Sequence, residues 1–421
     1  MKTSLDKPIA LILGGTVPHV ELINQLKSRG YYTILIDYLP NPPAKAVADE
    51  HLQESTLDPE TVRKIAKDRD ASLVICGCVD QANITACYVM EQLGMTPPYS
   101  FELAKNVTNK GYMKRVMEEN HIPTSRFVYV ENLEDVVQIN LHYPLMVKPA
   151  DNNSSNGVKK ANDKEQMVTC LKDALSISRN HKAIVEEFVT GREISAYCFI
   201  TEGKAKLLMT AERLSVMDGE DKVIKCYASI APARISATAT KRAEDVATMI
   251  ANSFGFDNTP LFFQGLVNGD DISVIEFAPR VGGGISFQTI KENTGFDIIS
   301  ATIDSYLGIK VDLSSYHAPR YEMAVNTVYG YDGVYDYMTG YDALLKDRII
   351  ENIYFHKNTG AVIDNKRASS SRIGAFITKA MNDADTINKV SEAFNRLDAF
   401  DINGVSMIRR DLSIPSIESS K

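Results

Sequence analysis

The segment from Leu261 to Gly284, LFFQGLVNGDDISVIEFAPRVGGG, constrains the fold more than any other stretch of the chain. Its apolar runs are rich in strand-forming residues and flank a turn-forming stretch, so the pattern predicts a β-hairpin. With the loop at Gly269–Asp271, Gln264 lies directly opposite Glu276, and their side chains share one face. Glu276 stands among apolar neighbours, and a carboxylate in such a run needs a cation or a metal ion.

Arg280 and a run of three glycines, Gly282, Gly283 and Gly284, follow the hairpin. An arginine can neutralise an anion, and successive glycines let backbone N–H groups approach a ligand closely. The simpler interpretation is a strand with one ion pair, between Glu276 and Arg280, followed by a flexible turn. The rest of the chain favours a ligand site.

The composition is typical of a folded protein with two or three domains. A chain of 421 residues is too long for one core, and 44% hydrophobic with 24% charged residues is usual for globular proteins. The net charge of −8 argues against a nucleic-acid surface. No apolar run approaches the ~18 residues of a membrane span.

The six cysteines show no regular spacing, so we expect reduced thiols in a cytoplasmic protein. Cys76 and Cys78 could form half of a metal site. No second pair and no nearby histidine in the sequence supports one.

Residues 1–96 alternate predicted strands and helices, with Gly14-Gly15 after the first strand. This alternation predicts a Rossmann-like domain built on a parallel sheet. The full G-x-G-x-x-G fingerprint is missing, so a dinucleotide site is weakly supported. Beyond residue 310, short strands and Gly/Asp turns predict a small α+β lobe.

One lysine lies where a phosphate group could be bound. Lys148 ends a predicted strand, just before the polar loop 151–157, whereas Lys110 belongs to an amphipathic helix predicted over Asn106–Asn120. Loop N–H groups and an ammonium can neutralise phosphate oxygens together. A surface loop with a salt-bridged lysine is the alternative interpretation.

A further predicted strand, Ala183–Val189, carries the adjacent acids Glu186 and Glu187. Neighbouring side chains in a strand point to opposite faces, so at least one of these acids is aimed inward or at a sheet edge.

Four signals follow one another in a definite order: Lys110 in a helix, YPLMVKPADNNSSNG, VEEFVTGREIS and FFQ…VIEFAPRVGGG. In this order and spacing they resemble the ATP-grasp superfamily of carboxylate–amine ligases. APRVGGG followed by a helix resembles the amino-acid and dipeptide ligase branch. The resemblance implies an α/β and α+β multidomain protein with three parts: a Rossmann-like domain (1–96), an ATP-grasp domain (97–310, with 97–182 including the lid and 183–310 as the catalytic half) and a C-terminal α+β lobe (311–421).

The resemblance also implies the residues that bind the nucleotide. Lys110 and Lys148 would bind the ATP phosphates, under a lid that contains Ser154, Ser155 and Gly157. The adenine would lie against the hinge formed by Glu186, Glu187 and Val189, with the Glu186 carbonyl orienting its amino group. Glu193 would meet the ribose hydroxyls.

The same resemblance assigns metal and substrate roles. Glu276 matches the central Mg²⁺ ligand, and Arg280 matches the arginine that stabilises the acyl phosphate. Gly282, Gly283 and Gly284 would hold a substrate carboxylate. The chain has Gln264 where the family usually has a second acid and Ala278 where it usually has Asn, so the expected cofactors are ATP with one or two Mg²⁺ ions.

The expected function is an ATP-dependent ligase that joins a carboxylate to an amine through an acyl phosphate, with an amino acid as a substrate. Two alternatives stay open: a purine-biosynthesis or carbamoyl-phosphate-type enzyme, and an ATP-binding regulatory protein that has lost catalysis. Gln264 and Ala278 favour the last. The expected partners are small molecules, with neither nucleic acid nor membrane, and a homodimer is compatible with the family.

Overall fold

The structure is a computed structural model that describes residues 7–151, 157–219 and 223–418, without the side chains of Gln138 and Glu418. The described residues form two compact units. Unit 1 draws on Met1–Pro97, Leu208–Arg234 and Val281–Lys421, and unit 2 comprises Pro98–Leu207 and Ile235–Arg280. This division follows compactness, and the domain boundaries expected from the sequence stay predictions.

The strands, numbered in chain order, are β1 (Ile9–Leu13), β2 (Tyr32–Ile36), β3 (Glu50–Leu52), β4 (Ala71–Ile75), β5 (Phe127–Val130), β6 (Leu145–Pro149), β7 (Lys159–Ala161), β8 (Ala183–Glu187), β9 (Arg192–Thr201), β10 (Lys204–Asp218), β11 (Val223–Ala231), β12 (Thr259–Asn268), β13 (Asp271–Ala278), β14 (Glu322–Tyr329), β15 (Gly333–Thr339), β16 (Asn352–Phe355), β17 (Val362–Ile363), β18 (Arg372–Ala380) and β19 (Asp398–Asp401).

The helices are α1 (Val17–Ser28), α2 (Pro59–Asp68), α3 (Asp80–Gln92), α4 (Phe101–Val107), α5 (Lys110–Glu119), α6 (Lys164–Ile177), α7 (Ala237–Phe254), α8 (Ser286–Thr294), α9 (Ile298–Tyr306), α10 (Tyr341–Lys346), α11 (Ala368–Ser371), α12 (Asp383–Arg396) and α13 (Ile414–Glu418), with short 3₁₀ helices at Pro43–Ala46 and Leu133–Gln138. Among the described residues, no helix has the length and apolarity needed to cross a lipid bilayer.

Unit 1 begins with a parallel sheet in the order β3-β2-β1-β4. Its central strands β1 and β2 are largely apolar and buried from their second residue onward, as expected for a parallel sheet covered on both faces. The predicted Rossmann-like arrangement is therefore confirmed. The later part of unit 1 pairs strands β11, β14, β18 and β16 antiparallel, which confirms the mixed α/β and α+β class.

Unit 2 contains an antiparallel sheet in the order β5-β8-β6-β7 and a second one in which β12 lies between β13 and β9. The helix predicted over Asn106–Asn120 is wrong as a single element, because the chain forms α4 and then α5. The Asn109 side chain accepts the backbone N–H of Tyr112, so it caps a new helix whose first residue is Lys110.

The hairpin β12–β13 has a shorter loop than predicted and one extra residue. Asn268 pairs with Asp271, which leaves a two-residue loop whose Gly269 has φ +61°. Near the loop, the register is therefore shifted by one residue from the prediction. A β-bulge at Ile275 shifts it back, and Gln264 pairs with Glu276 as predicted.

The bulge decides which way Glu276 points. Ile272 and Val274 are buried on the face that also carries Phe277, which packs on Phe254 of helix α7. Strict alternation from Ile272 and Val274 would bury Glu276 on that same face. The extra residue at Ile275 turns Glu276 to the other face and Phe277 into the core.

Candidate active site

Glu276 lies in a row of polar side chains that crosses three strands of unit 2. Ser195 on β9 pairs with Gln264 on β12, which pairs with Glu276 on β13. Directly opposite side chains lie on one face of a sheet, so the three residues face the same way. Lys110, at the start of α5, donates to Glu276 with an Nζ–Oε2 distance of 2.8 Å. The hairpin and the helix thus meet in one ion pair.

A second ion-paired group is centred on Glu186 of β8. Lys148 donates to its Oε1 at 2.6 Å, and Lys114 lies 2.7 Å from its Oε2. Burial would raise the pKa of Glu186, but Lys148 and Lys114 lower it to about 2. The carboxylate therefore stays charged, with both oxygens held by ammonium groups.

Glu187, the next residue, points to the opposite face, as strand alternation requires. It accepts from Nη1 of Arg126 at 3.1 Å and from the backbone N–H of His142 at 3.0 Å. The structure does not bring its side chain to Lys148. A role for Glu187 in nucleotide binding, which stays a prediction, would run through its backbone.

Arg280 and Glu193 lie near the row of polar residues. The Arg280 guanidinium stacks 5.3 Å from the ring centroid of Phe262, which shares the face of Gln264. Glu193 pairs with Leu266, also on that face. Ala278, opposite Phe262, offers the site only a methyl group.

The remaining predicted residues lie at the margin or elsewhere. Ser154 and Ser155 are outside the described residues, and Gly157 follows them with φ +79°. Val189 is in the connection between β8 and β9. Gly282, Gly283 and Gly284 belong to unit 1, where a Cβ at Gly283 or Gly284 would meet no atom within 4 Å.

Within unit 2 the site has more positive than negative charge. We define the phosphate-side cluster as Lys110, Lys114, Lys148 and Arg280 with Glu186 and Glu276, which is four cations and two carboxylates. Burial would raise the pKa of Glu276, but Lys110, with Lys148 and Arg280, lowers it. Four cations gathered in one region suit a polyanionic ligand.

The residues fit a magnesium ion that is shared with a bound phosphate. Across the described residues, no three His, Cys, Asp or Glu side chains are grouped to hold a metal by themselves. Mg²⁺ commonly binds through one or two carboxylates, with waters and substrate phosphates completing its shell. Glu276, with a 34% exposed side chain, and the amide oxygen of Gln264 meet that requirement.

Lys114 was not among the predicted site residues, although the sequence shows it four positions after Lys110. That spacing places both lysines on one helix face. Its acceptors Thr124 and Ser125 carry no such signal, because they become neighbours only through the fold.

Cys78 has a neighbour that the sequence did not suggest. Nε2 of His19 lies 3.5 Å from its sulfur. Burial lowers the pKa of His19 to about 4, so the ring is neutral near pH 7.

Comparison with known proteins gives the family. A model described as "ATP-grasp domain" matches residues 141–289. The formate-dependent phosphoribosylglycinamide formyltransferase of Ignicoccus hospitalis is 26% identical over 253 residues, which cover 58% of this chain and 62% of that relative. The chain thus spans less than two thirds of that relative's length.

Two solved structures share the fold. The L-amino acid ligase from Bacillus licheniformis has a TM-score of 0.77 at 17% identity, over 94% of this chain and 99% of that one. The biotin carboxylase domain dimer of the Hydrogenobacter thermophilus 2-oxoglutarate carboxylase, in complex with MgADP, ADP and bicarbonate, has a TM-score of 0.77 at 14% identity, over 98% and 94%. The chain therefore contains an ATP-grasp domain, and its resemblance to the ATP-grasp carboxylate–amine ligases, inferred from its sequence, is confirmed.

Proposed function

We propose that the protein is an ATP-dependent ligase that joins a carboxylate to an amine through an acyl phosphate, with an amino acid as one substrate. The observation that carries the proposal is the group of four cations that the phosphate-side cluster brings around Glu186 and Glu276 in unit 2. Cations gathered in this way suit an anion with several charges, such as a triphosphate.

The proposed ATP site uses residues of the phosphate-side cluster and of the strands beside it. Lys148 and Lys110 would neutralise the phosphates, and the expected lid would contribute Gly157 together with Ser154 and Ser155, which lie outside the described residues. The backbone from Glu186 to Val189 would bind the adenine, and Glu193 the ribose. The biotin carboxylase domain crystallised with MgADP supports this choice of ligand. Its dimeric state supports a homodimer here.

Glu276 and Gln264 would hold Mg²⁺, which would supply positive charge that neutralises a bound phosphate group. Lys110 holds Glu276 in place and can also donate to a phosphate oxygen, since its ammonium has three N–H groups. Arg280 offers a planar fork of donors, which suits the carboxylate and the acyl phosphate made from it. These groups stabilise developing negative charge, so no side-chain nucleophile is needed.

A purine-biosynthesis enzyme is the second candidate. The observation that favours it is the alignment with the formate-dependent phosphoribosylglycinamide formyltransferase. The likeness to the L-amino acid ligase supports the first candidate. Both candidates transfer the γ-phosphoryl group to a carboxylate and differ in what that carboxylate and the amine are.

One experiment separates the candidates. Phosphate release by the purified protein with Mg²⁺ and ATP is measured with amino acids singly and in pairs, and with formate plus phosphoribosylglycinamide. We expect release with a pair of amino acids. Release with the formate pair supports the purine candidate, and ATP binding without any release supports a regulatory protein.

The nucleotide product tests the chemistry itself. We expect ADP and phosphate, because Glu276 and Arg280 lie together, where the γ-phosphate and the carboxylate would meet. Chromatographic separation of nucleotides after turnover is the measurement. AMP formed in step with the product would overturn the acyl-phosphate mechanism.

A further inference from the structure

We propose that Lys114 is a positioning residue for the nucleotide site: through Glu186 it sets the ammonium of Lys148, and through Thr124 it fixes the strand that carries Glu276. This inference deepens the proposed function and rests on it. Lys114 does not reach the ligand itself, because its side chain is only 2% exposed.

The contacts of Lys114 use its whole ammonium group. Nζ lies 2.6 Å from Oγ1 of Thr124, 2.9 Å from Oγ of Ser125 and 2.7 Å from Oε2 of Glu186. An ammonium has three N–H donors, and three acceptors are present. Ser125 also donates to Oε2 of Glu186 at 2.9 Å, which closes the network. Such a fully bonded group has one orientation.

The first consequence concerns Lys148. Glu186 receives Lys148 on one oxygen and Lys114 on the other, so one carboxylate serves two cations. Without Lys114, the full negative charge of Glu186 would neutralise Lys148. The positive charge that Lys148 can offer to a phosphate therefore depends on Lys114.

The second consequence concerns the hairpin. Thr124, which accepts from Lys114, donates to the backbone carbonyl of Val274 at 2.8 Å, and the Val274 N–H donates to the carbonyl of Pro123 at 2.8 Å. Val274 is the last residue before the bulge at Ile275, and Glu276 follows the bulge. Lys114 thus stabilises strand β13 next to the bulge that sets the face on which the Glu276 side chain lies.

The titration of Lys114 agrees with this role. Burial lowers the pKa of Lys114 to about 8, against the opposing effect of Glu186, while Lys148 lowers it further. Glu186 and Lys148 are the charged groups that face it. As pH rises through about 8, Lys114 loses its proton. Lys148 is then the cation that remains paired with Glu186, so nucleotide binding should weaken.

Lys114→Met tests the proposal, because Met keeps the length of the side chain and removes the charge. Titration calorimetry with Mg²⁺ and a non-hydrolysable ATP analogue should show about tenfold weaker binding, as expected for a lost charge-assisted contact. Lys114→Arg should recover part of the affinity. The wild-type affinity should fall above pH 8, and that of Lys114→Met should not.

Lys225→Met is the matched control, because Lys225 is equally buried, also pairs with a carboxylate, and lies in unit 1. It should change the unfolding midpoint and leave the affinity for the analogue within twofold. If Lys114→Met does not fold, Ser125→Ala takes its place, with about threefold weaker binding expected from one lost hydrogen bond.

The outcomes distinguish the two proposals. If the wild-type protein does not bind the analogue, the proposed function fails. If the wild-type protein binds it and the folded variants, Lys114→Met or in its place Ser125→Ala, bind equally well, only the role of Lys114 is overturned. A purely structural lysine would lower the unfolding midpoint without the change in affinity or in its pH profile.

Discussion

Glu186 in unit 2 and Asp218 in unit 1 are alike in pairing but differ in burial and in the charge around them. Each carboxylate lies between two cations, Lys114 and Lys148 for Glu186 and Lys225 and Arg409 for Asp218. The pKa of Glu186 is lowered to about 2 by these lysines against burial, and that of Asp218 to about 2, chiefly by the Arg409 hydrogen bonds.

The difference lies in the remaining charges. Arg409 also pairs with Asp411, so Asp218, Asp411, Lys225 and Arg409 form a neutral group, which we call the tail cluster. The phosphate-side cluster brings four cations around two carboxylates. A strongly lowered pKa therefore does not by itself mark a functional site. The gathering of cations is the better guide, because it suits an anionic ligand.

The largest effect is expected on catalysis, from a substitution in the phosphate-side cluster. Glu276→Gln should reduce phosphate release about 1000-fold, roughly 4 kcal/mol, because the amide cannot supply the metal with negative charge. Steady-state turnover with the true substrates is the measurement, and the urea unfolding midpoint should change little. Turnover within tenfold of the wild-type value would remove the metal role of Glu276.

A substitution in the tail cluster should have the opposite effect: it should lower stability and leave nucleotide binding unchanged. Asp218→Asn leaves Lys225, whose side chain is 0% exposed, without its carboxylate, and should lower the free energy of unfolding by about 3 kcal/mol. Urea denaturation measures this loss. Affinity for the ATP analogue should stay within twofold, and a large drop would mean that the tail cluster takes part in binding.

A smaller effect is expected when one cation is removed from the phosphate-side cluster. Lys148→Ala removes one cation from the phosphate-side cluster and should weaken ATP-analogue binding about tenfold, or ~1.4 kcal/mol. Lys159→Ala is the matched control, since Lys159 is an exposed lysine paired with Asp173. Equal affinities for the two variants would make Lys148 a structural lysine.

The smallest effect is expected for the neighbour of Glu186. Glu187→Gln touches only exposed partners, Arg126 and His142, so it should change the free energy of unfolding by less than about 0.5 kcal/mol. Affinity for the analogue should be unchanged. A loss comparable with that of Lys148→Ala would show that the Glu187 side chain reaches the nucleotide.

The hairpin β12–β13 shows which structural details could be predicted from the sequence and which could not. The pairing of Gln264 with Glu276 was predicted from a three-residue loop, whereas the loop has two residues and the bulge at Ile275 restores the register. Val274, Ile275 and Phe277 are all apolar, and this hid the bulge, because either Val274 or Ile275 could belong to the buried face. The loop error and the missed bulge cancelled.

Lys114 shows where local pattern stops being informative. Its place on the face of Lys110 follows from helical spacing, but its burial does not, since Thr124, Ser125 and Glu186 come from other segments. The break between α4 and α5 did carry a local signal that the prediction overlooked. Asn109 is a residue type that favours helix N-caps over helix interiors, and its side chain accepts the Tyr112 N–H as such a cap.

The bulge at Ile275 also couples the length of strand β13 to the face on which Glu276 lies. Deleting Ile275 itself would remove the bulge and leave Glu276 and Phe277 on their present faces. Deleting one residue between Gly269 and Ile275 while keeping the bulge would exchange the two faces, burying the carboxylate and exposing the ring. Relatives that keep an acid at this position should therefore either carry the bulge or have a hairpin strand that is one residue shorter and regular.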